Sequence, residues 1–219
     1  MTMIFNTTLD YIQRGFGSEG IQFIEEYNIV SNDIEKRLFL MKGEMNDKDQ
    51  IFYYKDSTNC VIGFNIAYLH NIPTENKFYE NVILNIKGNN VYKDDCQVNF
   101  DYCENNFEFD NKDETHPIYI IEYFDNEYYY LVVDGNHRIS NMVDNGKEKI
   151  NVRLLDTMAT ILMIYDPKEI FTYAILNIYR LLNMQNSNQE EIKNKISLII
   201  KVVNYCYINR YKKFYNHII

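Results

Sequence analysis

Two β-prone runs followed by a glycine constrain this chain more than any other feature. Ile118-Tyr119-Ile120-Ile121-Glu122-Tyr123 is almost unbroken in β-branched, aromatic and apolar side chains. Glu127 to Val133 is a second such run, and Asp125-Asn126 between them is a turn signal. Together they predict a β-hairpin whose second strand is partly buried. Asp134-Gly135-Asn136-His137-Arg138 comes next, and Ile139, Met142 and Val143 then recur at helical spacing. Gly146 is placed to end that helix in a left-handed conformation. Ile150 to Leu155 alternates as a further strand. The predicted unit is strand, tight glycine turn, short helix, strand.

Such a unit suits an anion. Gly135 permits a positive φ and a close approach of the backbone. The first amides of the helix beginning near His137 have no partner within the helix, and they sit at its positive end. A phosphate placed there would accept their N–H bonds. Arg138 would add a planar, permanently charged fork matched to phosphate oxygens. His137 would add a donor or a proton-transfer group. Asp134 would orient His137 or Arg138, or hold a metal ion through its carboxylate. The bland reading of the same residues is a capped helix start, with Arg138 paired to Asp134 or Asp144 and Asp134 acting as a turn former.

The rest of the chain supplies context. Residues 1–49 carry Ser18-Glu19-Gly20 ahead of Ile21, Phe23, Ile24 and Tyr27, then Ser31-Asn32-Asp33 ahead of Ile34, Leu38 and Met41. Both patterns predict short helices after N-caps, forming an N-terminal helical extension. Residues 50–156 alternate Tyr/Val/Ile-rich runs with Asn/Asp clusters and predict strands. In residues 157–219, Asp166-Pro167 starts one helix (Ile170, Phe171, Ala174, Ile175, Ile178, Leu182) and Asn188 starts another (Ile192, Ile196, Ile199, Ile200, Val203). That predicts a C-terminal helical hairpin, whose apolar stripes are core or a homodimer face. The fold class expected is α+β.

Charge and composition bound the function. The net charge of -9 makes non-specific nucleic-acid binding a poor reading, because phosphate neutralisation needs a surplus of Lys and Arg. No stretch approaches the roughly 20 apolar residues of a membrane span. Met1 to Asn6 lacks a basic n-region and does not read as a signal peptide. Cys60, Cys96, Cys103 and Cys206 form no CxxC pair, so they read as reduced thiols of a cytoplasmic protein, with no zinc site.

Val132-Val133-Asp134-Gly135-Asn136-His137-Arg138-Ile139 resembles the signature of the ParB/sulfiredoxin superfamily. That group includes ParB partition proteins, sulfiredoxins and ADP-dependent serine kinases. The resemblance spans about Ile66–Asp156 and is concentrated in Pro117–Asp156. It implies a ParB/sulfiredoxin-like mixed sheet with short helices. It also implies a nucleotide (ATP, ADP or CTP) with Mg²⁺, its phosphates cradled by Gly135, Asn136, His137 and Arg138, with His137 and Asp134 as the catalytic candidates. Sulfiredoxins carry a catalytic cysteine one position before the motif's histidine. Here that residue is Asn136, which argues against sulfinic-acid reduction. ParB proteins carry Glu-Arg-Arg in the motif and a downstream helix-turn-helix. This chain has His137-Arg138 and an acidic balance, which weighs against DNA clamping. Kinases of the group need a carboxylate base outside the motif, for which Glu75, Glu80, Asp94, Asp95, Glu114 and Glu122 are candidates.

Other residues read as structural. His116 is placed at the exposed end of the strand that Pro117 begins, and nothing near His70 or His217 supports a role. Tyr128-Tyr129-Tyr130 read as packing rather than base stacking, with 128 and 130 on one strand face and 129 on the other. Arg210, Lys212 and Lys213 with Tyr207, Tyr211 and Tyr215 read as a solvated helix end. Asp94-Asp95 and Asp110–Glu114 read as solvated loops. The function expected is nucleotide or phosphate binding, with NTP hydrolysis or phosphoryl transfer as its extension. The alternatives are a non-enzymatic regulatory or scaffold protein and a ParB-like DNA-binding protein or nuclease.

Overall fold

A computed structural model describes residues 2–32, 51–55, 60–71, 78–103, 116–123, 129–184 and 188–207. The chain is α+β and divides into two compact units, residues 1–67 with 161–219 and residues 68–160.

The second unit is a closed six-stranded barrel. Its strands are β3 (Tyr79–Lys87), β4 (Asn90–Lys93), β5 (Cys96–Asn99), β6 (Tyr119–Glu122), β7 (Tyr130–Asp134) and β8 (Lys149–Leu155). They close in the order β3-β4-β5-β7-β6-β8. The β5–β7 and β6–β8 pairs are parallel and the rest antiparallel. The sheet is mixed, and closure leaves it no open edge. Helix α3 (Asn136–Asp144) links β7 to β8. Inward residues alternate along each strand. Leu84, Val91, Val98, Ile118, Ile120, Val132, Ile150 and Val152 form one buried cluster, with Ile139 and Val143 of α3 packed into it. The period-two pattern read in Ile150–Leu155 is this inner face.

The expected hairpin is present as β6 against β7, with a bulge where Tyr119 faces Asp134 and Ile120 faces Val132. Its turn, Asp125-Asn126, lies outside the described residues. Gly146, at φ 65°, ends α3 as anticipated. Lys147 N–H donates to Met142 O and Gly146 N–H to Val143 O, the paired bonds of a Schellman cap.

The first unit holds α1 (Thr2–Gly15), α2 (Gly17–Asn32), the hairpin β1 (Ile51–Lys55) and β2 (Val61–Asn65), α5 (Pro167–Asn183) and α6 (Gln189–Cys206). The chain passes between the units in the 3-10 turn Ile66–Asn71 and in α4 (Thr157–Met163). The N- and C-terminal zones of the sequence thus share one unit, and β1 and β2 belong with them. Phe171 centres its core, with the rings of Phe23 at 5.0 Å, Tyr207 at 5.8 Å and Tyr27 at 6.1 Å. Asp166 and Asn188 cap α5 and α6 as the sequence indicates, accepting from Lys168 N–H at 2.8 Å and Glu190 N–H at 3.0 Å. In the region read as an N-terminal extension, α1 is an addition to the expected pair of helices. The helix expected at Ile34–Met41 lies outside the described residues.

Candidate functional site

The glycine turn is built as the sequence implies. Strand β7 runs buried through Leu131, Val132 and Val133, and Gly135 turns the chain at φ 102°, ψ 20°. Helix α3 starts at the next residue. Its first rung is Ile139 N–H to Gly135 O at 2.9 Å, so the N–H groups of residues 135–138 precede the hydrogen-bonded ladder. Gly135 supplies no side-chain cap, and no acidic residue lies in the first turn. The positive end of α3 is therefore not offset by a carboxylate of its own first turn.

The side chains of the motif go separate ways. His137 is exposed. Arg138 folds back beneath the turn, where its Nη2 donates to Pro117 O and to Asp134 Oδ2, both at 3.1 Å. The pair is largely buried, with Arg138 16% and Asp134 24% exposed. Arg138 Nε is buried without a hydrogen-bond partner. One edge of the guanidinium is therefore committed within the protein, and so is one oxygen of the Asp134 carboxylate. A Cβ on Gly135 would stand 2.8 Å from Ile118 Cγ1 and 3.0 Å from Arg138 Nη2. The glycine is required by this close packing as well as by its φ.

Asn136 has a partner that the sequence did not reveal. Its Oδ1 accepts the Asp101 N–H at 2.9 Å. One turn on, Ser140 Oγ accepts the Cys103 N–H at 3.0 Å and donates to Asn136 O. One turn further, Asp144 Oδ1 accepts from the Tyr102 hydroxyl at 2.6 Å. Residues 136, 140 and 144 lie on one helix face, and that face holds the segment leaving β5. The i, i+4, i+8 spacing of three polar residues was the available signal. Burial, with Asp101 nearby, pushes the Cys103 thiol above its ordinary range, which keeps it protonated and a weak nucleophile.

The remaining candidates are dispersed. Glu80 and Glu122 stand exposed on β3 and β6, and Asp94 and Asp95 occupy the β4–β5 turn, where Asp94 pairs with Lys93 at 3.1 Å. His116 is exposed ahead of β6. Tyr130 packs against the barrel core with Lys93 over its ring at 5.0 Å, and Tyr129 is exposed. Tyr207 is buried. Glu75, Glu114, Asp110–Asp113, Tyr128, His217 and the Arg210–Tyr215 cluster lie outside the described residues, as does the side chain of His70. All four cysteines are free thiols.

Among the described residues no three His, Cys, Asp or Glu side chains converge to hold a metal. Asp134 Oδ2 is engaged by Arg138, so the described residues alone do not make a site for a protein-held Mg²⁺. No described helix is long and apolar enough to cross a membrane. No protein-family model, no curated protein and no solved structure matches this chain.

Proposed function

We propose that this protein binds the phosphate of a nucleotide at the turn Gly135–Arg138, as a ParB/sulfiredoxin-like nucleotide-binding protein. The observation that carries the reading is a left-handed glycine at the end of a buried strand, opening a helix that has neither a side-chain cap nor an acid in its first turn. Main-chain donors gathered at one helix end accept an oxyanion with little reorganisation. His137, exposed beside them, adds a donor. Arg138 acts first as a strut, tying β6, β7 and α3 together through Pro117 O and Asp134. Asn136 contributes its main chain, since its side chain holds residue 101. Hydrolysis or phosphoryl transfer would rest on positioning and charge stabilisation rather than covalent chemistry. Mg²⁺ would arrive with the nucleotide's phosphates.

A thermal-shift panel of ATP, ADP, CTP and GTP with Mg²⁺ tests this. A ligand at a hundred times its Kd stabilises the native state by about 2.7 kcal/mol and raises Tm. At least one nucleotide should do so, and His137→Ala should weaken its binding, with the variant's own unliganded Tm as the reference. A flat panel removes the proposal. Arg138→Ala should also weaken binding, by about 1.5–3 kcal/mol if its free edge meets the phosphate. That variant needs a folding control, because it leaves Asp134 and Pro117 O without their donor.

A second reading has its own observation. The Arg138–Asp134 pair and the packing around Gly135 make the turn a structural joint. On that reading the protein is a non-enzymatic scaffold, and the flat panel is its expected result.

A further inference from the structure

Arg153 lies on β8, where residues 150 and 152 point into the barrel and 153 therefore points outward. Its cross-strand neighbours are Tyr119 on β6 and Asn81 on β3. The guanidinium carbon sits over the Tyr79 ring at 4.4 Å and over the Tyr119 ring at 5.7 Å. Nη1 donates to the Tyr119 hydroxyl at 3.0 Å. The group is thus fixed in plane by one hydrogen bond and one close ring face. A stacked guanidinium keeps its edge donors for a second partner.

Among the described residues that second partner is absent. Among the described residues no carboxylate lies within ion-pair distance of Arg153, whereas Arg14 and Arg138 each have one. Arg153 has no buried unpartnered nitrogen, so the donors that Tyr119 does not take reach solvent. In a chain of net charge -9, Arg153 is thus a half-buried, oriented cation whose remaining donors face solvent and can meet an anion.

We propose that Arg153 binds a phosphate oxyanion on the outer face of the barrel, with the Tyr79 and Tyr119 rings as the wall of the site. The fork geometry selects a phosphate held edge-on by two parallel N–H bonds. The site is distinct from the glycine turn. Strand register places Asp134 beside Tyr119 and Tyr119 beside Arg153, a separation of roughly 10 Å at normal strand spacing. The proposal stands whether or not the turn binds a nucleotide.

The test is a titration of the ¹⁵N-labelled full chain with inorganic phosphate and, separately, with AMP, following the arginine Nε–H resonances. The Arg153 resonance should shift and saturate. A response to both ligands assigns the site to the phosphate itself, and a response to AMP alone assigns it to a nucleotide whose base adds to the contact. Arg153→Gln should lower affinity about tenfold, the scale of one charge-assisted bond, and Arg153→Lys should fall between. In His137→Ala the titration curve of the Arg153 resonance itself should not move, whatever happens at the turn. An Arg153 resonance that stays fixed with both ligands overturns the proposal, even if Arg153→Gln does not fold. So does equal affinity in Arg153→Gln. Binding lost in His137→Ala but kept in Arg153→Gln would uphold the turn and eliminate this site.

Discussion

At Gly135 a single hydrogen atom decides whether the barrel can connect to α3. Any other residue would sit at φ 102° and place its Cβ 2.8 Å from Ile118 Cγ1. Holding a non-glycine residue in such a conformation costs about 1–3 kcal/mol, and the clash adds to it. Gly135→Ala should therefore destabilise the protein by about 2–4 kcal/mol in urea titration; a midpoint equal to wild type would show that the turn relaxes freely. Asp156 offers a residue-scale test with pH. Its carboxylate caps α4, accepting from Ala159 N–H at 2.7 Å. Burial raises its pKa above the ordinary 3.8, and the backbone bonds from Ala159 and Met158 only partly oppose that. The native state then holds its proton more tightly than the unfolded chain does. The associated stability is present below pH 3.8 and is lost as pH rises through the higher native value. Asp156→Asn keeps an acceptor for the cap without the partly desolvated charge. Its stability relative to wild type should rise across that acidic window and stay level above it. A difference independent of pH would mean that the carboxylate is not desolvated.

At the scale of elements, α1 and α2 meet where a side chain has no room. A Cβ on Gly20 would lie 2.4 Å from the Ile12 carbonyl oxygen, a backbone atom that cannot swing away. Gly20→Ala gains helix propensity but forces the helices apart, and overpacking of this kind costs about 1–3 kcal/mol. A lower Tm is expected, and a higher one would refute the tight crossing. This helix pair also shows what the sequence conceals. Helix α1 buries Thr8, whose hydroxyl is satisfied by Ile4 O at 2.8 Å, beside Ile12. A polar residue thus fills a core position, and the apolar period that would announce the helix is broken there. Helices α5 and α6 each bury one polar residue too, Asn177 and Asn204, but within long, dense apolar stripes behind side-chain caps at Asp166 and Asn188, so both were legible. The glycine turn and its flanking strands were legible because φ, strand pattern and C-cap all leave local marks. Asp134 as a partner of Arg138 was legible, because it lies four residues before it; the second acceptor, Pro117 O, was not, since it is set by the β6–β7 pairing. Arg153 was missed for the same reason. Its partners Tyr79 and Tyr119 lie on two other strands, and no spacing along the chain joins them.

For the whole molecule, the barrel is an insertion with its two ends together. Strands β3 and β8 pair antiparallel from Tyr79 opposite Leu155 to Asn85 opposite Lys149. Beyond the ladder, Asp156 N–H donates to Phe78 O at 2.9 Å. The chain thus enters and leaves the barrel side by side, the arrangement that lets a domain be inserted or removed with least disturbance. The inner cluster closes on itself, because residues from all six strands and α3 share one core. The first unit has a separate aromatic core around Phe171. A fragment of residues 68–160 should therefore fold alone, with a dispersed amide spectrum and one cooperative unfolding transition. Closure supports this expectation, since a barrel has no edge strand needing a partner. The short parallel pairs oppose it. Strands β5 and β7 share only Val98–Tyr130 and Asn99–Leu131, and β6 and β8 only Tyr119–Arg153 and Ile120–Leu154, which makes these two the shortest seams of the ring. Amide exchange in the fragment should be fastest at Asn99 and Leu131 and slowest along β3 and β8. A collapsed amide spectrum for the fragment would show that the barrel depends on the rest of the chain to close.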